Sequence, residues 1–233
     1  MGTDLINNIH LEFYGLPGCG KSTVSEIVAK KLESKGYRVV RASAETGNDR
    51  NPFIRKIIKL ARTFTVYIRH PQFFKRVRNI VIGNGYMTIN ERIVQEVNIA
   101  QKYYYYSKND QHFLYIWDEG IAQAAVALSV KGCVSGKENE ENLLKAMGLT
   151  QKPIHIYIVE PIDTVIIRMQ QRTTNNSRVE KLEGYDEKEM LLNKYFVGCE
   201  SLNKQIEIHG NKRKPEYIAD EVYKELILNG VVK

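Results

Sequence analysis

Hydrophobic and polar positions along the chain follow two alternating periods. Short runs at 10–14, 37–42, 112–117, 153–159 and 205–209 are dense in apolar, β-branched and aromatic residues, and each has the length of a strand. The stretches between them carry apolar residues every three or four positions, the spacing of helices. The first such helix covers 23–32, and Gly36 stands where a helix C-terminal glycine belongs. Pro52 opens a second, with Ile54, Ile57, Ile58, Ala61, Phe64 and Ile68 on one face. Further helices are expected at 71–82, ending near Gly83 and Gly85, and at 88–107, where Ile89, Ile93, Val97, Ala100 and Tyr104 repeat. An Ala-rich helix over 121–131 is closed by Gly132, and 132–140 reads as a polar loop. A short helix over 141–147 stops at Gly148. Helices at 162–172 and 186–203 flank a polar segment, 173–178. Pro215 opens the last helix, which ends at Asn229-Gly230. Strands alternating with helices predict an α/β chain built on a parallel sheet.

The first strand-to-helix connection adds chemistry to this pattern. Gly15-Leu16-Pro17-Gly18-Cys19-Gly20-Lys21-Ser22 reads G-x-x-x-x-G-K-S and is followed by Thr23. Glycines let backbone amides wrap around phosphate oxygens, and the helix N-terminus adds partial positive charge. Lys21 is placed to reach the terminal phosphates of a nucleotide, and the Ser22 hydroxyl to hold Mg2+. A glycine-rich turn that binds nothing is the bland alternative, and strand before, helix after and Lys-Ser in place speak against it.

A second mark lies at the end of the third strand, where the apolar run closes on Asp118. A carboxylate at that strand tip, beside a phosphate loop, orients Mg2+ or its water shell. Glu45 falls just past the second strand, and ligands of open parallel sheets bind at strand ends. It is a candidate site residue or a solvated loop acid. Glu119, next to Asp118, competes with it for the role of a base.

The chain has 233 residues, 43% of them hydrophobic, 26% charged, with a formal charge of +7. This suits one domain over 1–233 and an anionic partner. No apolar run reaches the ~18 residues of a membrane span. Three cysteines without metal-site spacing, and an N-terminus without the order of a signal peptide, point to the cytoplasm.

Between Asp49 and Glu91 there is no acid, while Arg55, Lys56, Lys59, Arg62, Arg69, Lys75, Arg76 and Arg78 fall inside. Three readings stand open: a solvated basic face on an inserted helical pair, a substrate-covering element whose arginines neutralise phosphate, or contact with a membrane surface or polyanion. The run Tyr103-Tyr104-Tyr105-Tyr106 belongs to a core boundary or, in part, to stacking on a substrate ring.

The order of parts resembles the thymidylate kinase-like small-molecule kinases. The resemblance rests on the phosphate loop, the Asp-ending third strand, Arg168-Met169-Gln170-Gln171-Arg172 and Ser177-Arg178-Val179-Glu180. It implies a three-layer P-loop NTPase fold, with a five-stranded parallel sheet, helices on both faces, a helical covering insert at about 51–107 and a lid at about 172–185. It further implies Mg2+, ATP as co-substrate, and an acceptor such as a nucleoside monophosphate. Arg168, Arg172 and Arg178 would then be lid residues acting on the transferring phosphoryl group, where planar guanidinium groups match the charge spread over its oxygens. Each could equally be a surface ion pair. Deoxynucleoside kinases, a sister group by resemblance, present a base from the position of Glu45. Two departures leave the acceptor open: Arg41-Ala42-Ser43-Ala44-Glu45 replaces Arg-Glu-Pro, and Asp118-Glu119-Gly120 replaces Asp-Arg-Tyr. A kinase of a nucleoside or other small alcohol, a non-kinase NTPase and a nucleic-acid-end kinase are the alternatives. Nucleic acid has only the basic segment in its favour, and a homodimer is left open.

Overall fold

A computed structural model describes residues 8–42, 52–85, 87–108, 113–149, 152–171, 179 and 182–233, without the side chains of Pro52 and Arg55. Five parallel strands form one sheet in the order β2-β3-β1-β4-β5. They are β1 (Ile9–Gly15), β2 (Val39–Arg41), β3 (Leu114–Trp117), β4 (Ile154–Val159) and β5 (Ile206–His209). The helices are α1 (Lys21–Ser34), α2 (Pro52–Arg69), α3 (Pro71–Gly83), α4 (Ile89–Tyr106), α5 (Ile121–Lys131), α6 (Gly136–Met147), α7 (Ile162–Gln170), α8 (Tyr185–Glu200) and α9 (Pro215–Leu228). The expected fold class, a parallel sheet between helical layers with a helical insert, is what the structure has.

Side chains of a strand alternate between faces, and here the two faces differ in chemistry. Leu11 and Phe13 of β1 join Ile156, Ile158, Ile206 and Ile208 in an aliphatic core. The helices α1 and α9 cover it with Val24, Val28, Leu32, Ile218, Val222 and Leu226. The opposite face carries His10, Glu12 and Tyr14, with Tyr115, Trp117, His155 and Tyr157 from the neighbouring strands. His10 stacks on Tyr106 at 4.0 Å and on Tyr115 at 4.8 Å, and Tyr106 stacks on Trp117 at 5.2 Å. The Trp117 indole donates to His10 Nδ1 at 3.1 Å. Tyr105 and Tyr106 are buried and Tyr103 stacks on Phe73. Of the two readings of the tyrosine run, the core boundary is therefore the one observed.

Two expectations change. The polar stretch 132–140 is not all loop, because α6 begins at Gly136 with the Ser135 hydroxyl accepting the Glu138 amide. Asn139 and Glu140 lie inside it fully buried, and Asn139 exchanges two side-chain hydrogen bonds with Asn84, at 2.7 and 3.0 Å. The second change is the mounting of α2. Its apolar face points outward, and the side chains of Thr63 and Arg62 turn toward α4. Gln101 of α4 donates to the Lys59 carbonyl and to Thr63 Oγ1, both at 2.8 Å, and Arg62 donates to the Tyr105 hydroxyl at 2.6 Å. Arg62 is thus not part of a solvated basic face, whereas Lys56, Arg69, Lys75, Arg76 and Arg78 are exposed.

Candidate functional site

The loop after β1 is shaped by what surrounds it. A Cβ on Gly15 would stand 2.5 Å from the Ile158 carbonyl of β4, at a φ of +147°, so only glycine lets β1 lie this close while turning. The Gly15 amide donates to Gln123 Oε1 of α5 at 3.3 Å. Leu16 and Cys19 are buried under the loop, and Gly20 is the residue preceding α1. Lys21 is nearly buried, and its Nζ donates to the carbonyls of Leu16 at 2.8 Å and Gly15 at 3.2 Å. Ser22 and Thr23 are exposed at the first turn of α1. A glycine-bearing loop that runs into the N-terminus of α1 is a setting in which backbone amides can receive an anion.

Asp118 follows β3 directly, and β3 lies beside β1 with Trp117 opposite Glu12. Its Oδ1 is buried without a hydrogen-bond partner among the described residues. A buried lone carboxylate oxygen is costly unless something binds it. The donor set suits Mg2+, which takes one or two protein oxygens and completes its shell with phosphate and water. Among the described residues no three His, Cys, Asp or Glu cluster as a self-sufficient metal site.

Glu12 went unread as a functional position, although an acid inside an apolar strand is a signal. It is fully buried on β1. Its carboxylate accepts the amides of Ile121 at 2.7 Å and Ala122 at 2.8 Å, capping α5, and also accepts the Tyr106 hydroxyl. A Cβ on Gly120 would lie 2.1 Å from Glu12 Cδ. That contact explains why no larger residue follows Asp118-Glu119. His155 Nε2 lies 3.0 Å from Glu140 Oε1 and 3.6 Å from Glu12 Oε2, and burial pushes the Glu140 carboxyl up.

Pro17, Lys21, Gln95, Asn98, Lys102 and Glu119 are among the residues that enclose a cavity of about 250 Å3. Gln123, Val179 and Tyr195 line it as well. Lys102 of α4 is half-buried. Loss of hydration lowers its pKa, with Glu119, Glu12 and Asp118 opposing. A larger cavity of about 880 Å3 between the α5–α6 turn and α8 contains no residue of the phosphate loop.

Lys21, Ser22 and Asp118 all follow the C-terminal ends of β1 and β3 and so lie at one end of the sheet. Arg168 of α7 is there too, but its Nη1 is 3.0 Å from Glu160 Oε1 and 3.4 Å from the Cys19 carbonyl, bracing the loop from behind. Glu45, Arg172 and Arg178 lie outside the described residues. All three cysteines are free, Cys19 and Cys199 buried and Cys133 exposed.

Compared with solved structures, the chain is similar to a thymidylate kinase from Candida albicans, with a TM-score of 0.55 and 13% identity over 96% of this chain and 93% of that one. It is similar to a deoxyadenosine kinase from M. mycoides, with a TM-score of 0.52 and 15% identity over 96% and 100%. A shikimate kinase from Aquifex aeolicus aligns with a TM-score of 0.51 and 13% identity over 95% and 98%. The chain has the fold of the P-loop small-molecule kinases. No family model and no curated protein matches it in sequence. Gly15–Ser22 and Asp118 follow the C-terminal ends of β1 and β3, the side of an open parallel sheet where loops that bind ligands gather.

Proposed function

We propose that the protein transfers the γ-phosphoryl group of ATP, with Mg2+, to a small acceptor, in the first instance a nucleoside monophosphate. The observation that carries this reading is the shared cavity. Lys21 of the phosphate loop and Lys102, Gln95, Gln123 and Glu119 line the same space. A donor phosphate on the loop and an acceptor under α4 would therefore face one another at Lys21. Such a reaction needs alignment and charge neutralisation more than covalent help from the protein.

The loop amides and Lys21 would hold the donor phosphates. Ser22 and Asp118 would hold Mg2+, which when bound neutralises charge on the phosphate oxygens. Lys102 would screen an anionic acceptor, and Gln95, Asn98 and Gln123 offer amides to its polar edge. Arg168, held by Glu160, would act through the loop it braces and reach the transferring group only by exchanging that partner. Arg172 and Arg178 keep the lid role that the resemblance implies, as does the preference for ATP. Where the acceptor is an alcohol instead, Glu119 is favoured as its base, since it lines the cavity beside Lys21. Glu45 remains the competing base.

The test is incubation with ATP and Mg2+ and pools of nucleoside monophosphates, nucleosides, sugars and oligonucleotides. Phosphorylated monophosphate, lost in Lys21→Ala with folding confirmed by circular dichroism, is the expected result. Product only from nucleosides or sugars moves the reading to an alcohol acceptor. ATP hydrolysis without any phosphorylated acceptor overturns the kinase reading.

A further inference from the structure

The outward face of α2 is an apolar surface that the proposed activity leaves unused. Phe53, Ile57, Leu60, Phe64, Tyr67 and Ile68 stand 50% to 69% exposed on this one helix. Isolated exposed apolar residues are ordinary, but several large ones on one helix face form a contiguous patch of the kind that marks an interaction surface. Beside them an apolar groove of about 550 Å3 runs between α2 and Phe74 of α3. The mounting is definite, because the other side of the helix is bonded to α4 through Lys59, Thr63 and Arg62. Arg62 also lies over the rings of Tyr104 and Tyr105, at 5.4 and 5.0 Å.

Charge identifies the occupant. Projected at about 100° per residue, the apolar arc is bordered by Lys56 on one side and Arg69 on the other. Both are exposed, as are Lys75 and Arg76 of α3, and no acid occurs between Asp49 and Glu91. A second copy pairing through this face would set cations against cations. A polynucleotide would satisfy the cations and leave six large apolar side chains in water. An anionic bilayer answers both, taking the apolar face into the headgroup and acyl boundary and meeting the bordering cations with lipid charge. Among the described residues no helix is long and apolar enough to cross a membrane, so the contact is peripheral.

We propose that the α2–α3 surface docks the protein onto an anionic lipid surface, with α2 lying in the plane of the interface. Gln101 ties α2 to α4, and Lys102 is the next residue, so a docked α2 lies one helix away from the proposed acceptor cavity.

The test uses the full chain and sedimentation with vesicles of phosphatidylcholine alone or with added phosphatidylglycerol. Binding to the anionic vesicles, weakened by salt, is expected. The double change Leu60→Ser and Phe64→Ser should reduce it by about tenfold or more, with unchanged circular dichroism and unchanged ATP turnover in solution. Lys56→Glu with Arg69→Glu should remove the preference for anionic lipid. Absence of vesicle binding, or equal binding to both compositions, overturns the proposal. So does a dimer by light scattering that Leu60→Ser dissociates, which gives the face to a second copy. Oligonucleotide binding indifferent to Leu60→Ser, without vesicle binding, gives it to a polyanion.

Discussion

Glu12 Oε1 accepts the backbone amide of Ile121 at 2.7 Å, so a strand residue caps a helix that begins 109 positions later in the chain. The capped helix starts three residues past Asp118, and its Gln123 holds the Gly15 amide. One buried carboxylate thus fixes the tip of β3 against the phosphate loop.

Removing that carboxylate should be costly. Glu12→Ala strands the amides of Ile121 and Ala122 and the hydroxyl of Tyr106 in the interior, and a loss of about 3–5 kcal/mol in urea unfolding is expected. Glu12→Gln keeps the volume and one carbonyl acceptor and should lose less. Gly120→Ala clashes with the carboxylate in the natural chain, so in the Glu12→Ala background it should be tolerated better, a coupling that a double-mutant cycle reads directly. Equal effects of Gly120→Ala in both backgrounds would remove Glu12 as the reason for glycine.

Lys102 is expected to act on the acceptor. Lys102→Met should raise the acceptor KM while leaving the ATP KM nearly unchanged. Because burial lowers the pKa of this ammonium, it sheds its proton earlier than an ordinary lysine as pH rises. Acceptor kcat/KM should therefore fall with rising pH below the usual lysine range. Lys102→Arg, always charged, should shift that fall to higher pH. A profile identical in Lys102→Met and the natural chain would take the lysine out of the site.

His10 makes stability sensitive to mild acid. Burial lowers its pKa from 6.5 to about 3, and its Nδ1 is the acceptor for the Trp117 indole. Between those two pH values the unfolded chain binds a proton that the folded one refuses. Its contribution is fully present above about pH 6.5 and is lost as pH falls toward about 3, with a limiting slope of about 1.4 kcal/mol per pH unit. His10→Gln, which keeps an acceptor and does not titrate, should flatten the pH dependence of unfolding over that window. An unchanged slope would assign the acid sensitivity to other groups.

Much of this architecture was legible because local pattern and final position agree. The strands, the phosphate loop and Asp118 follow from runs and spacings within a few residues of each other. The alternation of Leu11 and Phe13 with His10, Glu12 and Tyr14 also marks a strand with two unlike faces. What stayed hidden depends on distant partners. The polar string Asn139-Glu140 looks like loop, and is helix with Asn139 bonded to Asn84 and Glu140 Oε1 3.0 Å from His155 Nε2. The apolar period of α2 marks a helix but carries no information on which way that helix is mounted. The partner that turns it, Gln101, is about forty positions away and polar.

The start of α4 tests a feature that local sequence does encode. Thr88 accepts the Glu91 amide at 3.3 Å and the Glu91 carboxylate accepts the Thr88 amide at 3.0 Å, a reciprocal cap. Lys131 of α5 also donates to Glu91 and, with Thr88, holds its carboxyl near a pKa of about 2. Thr88→Ala should cost about 1 kcal/mol in urea unfolding. The depressed carboxyl contributes stability that is present above about pH 4.5 and lost as pH falls toward about 2, and Glu91→Gln should remove that component.

Lys21 rests against its own loop, bonded to the Leu16 and Gly15 carbonyls. A ligand that recruits this ammonium must outbid two carbonyl oxygens that are already in place, so the gain is a difference between bonds and not a whole bond. A single monatomic anion such as chloride offers one contact and would gain almost nothing by that exchange, whereas adjacent phosphates present several oxygens at once. If the loop binds phosphate as proposed, the resting lysine would act as a threshold, leaving the loop indifferent to ordinary salt and responsive to polyphosphate.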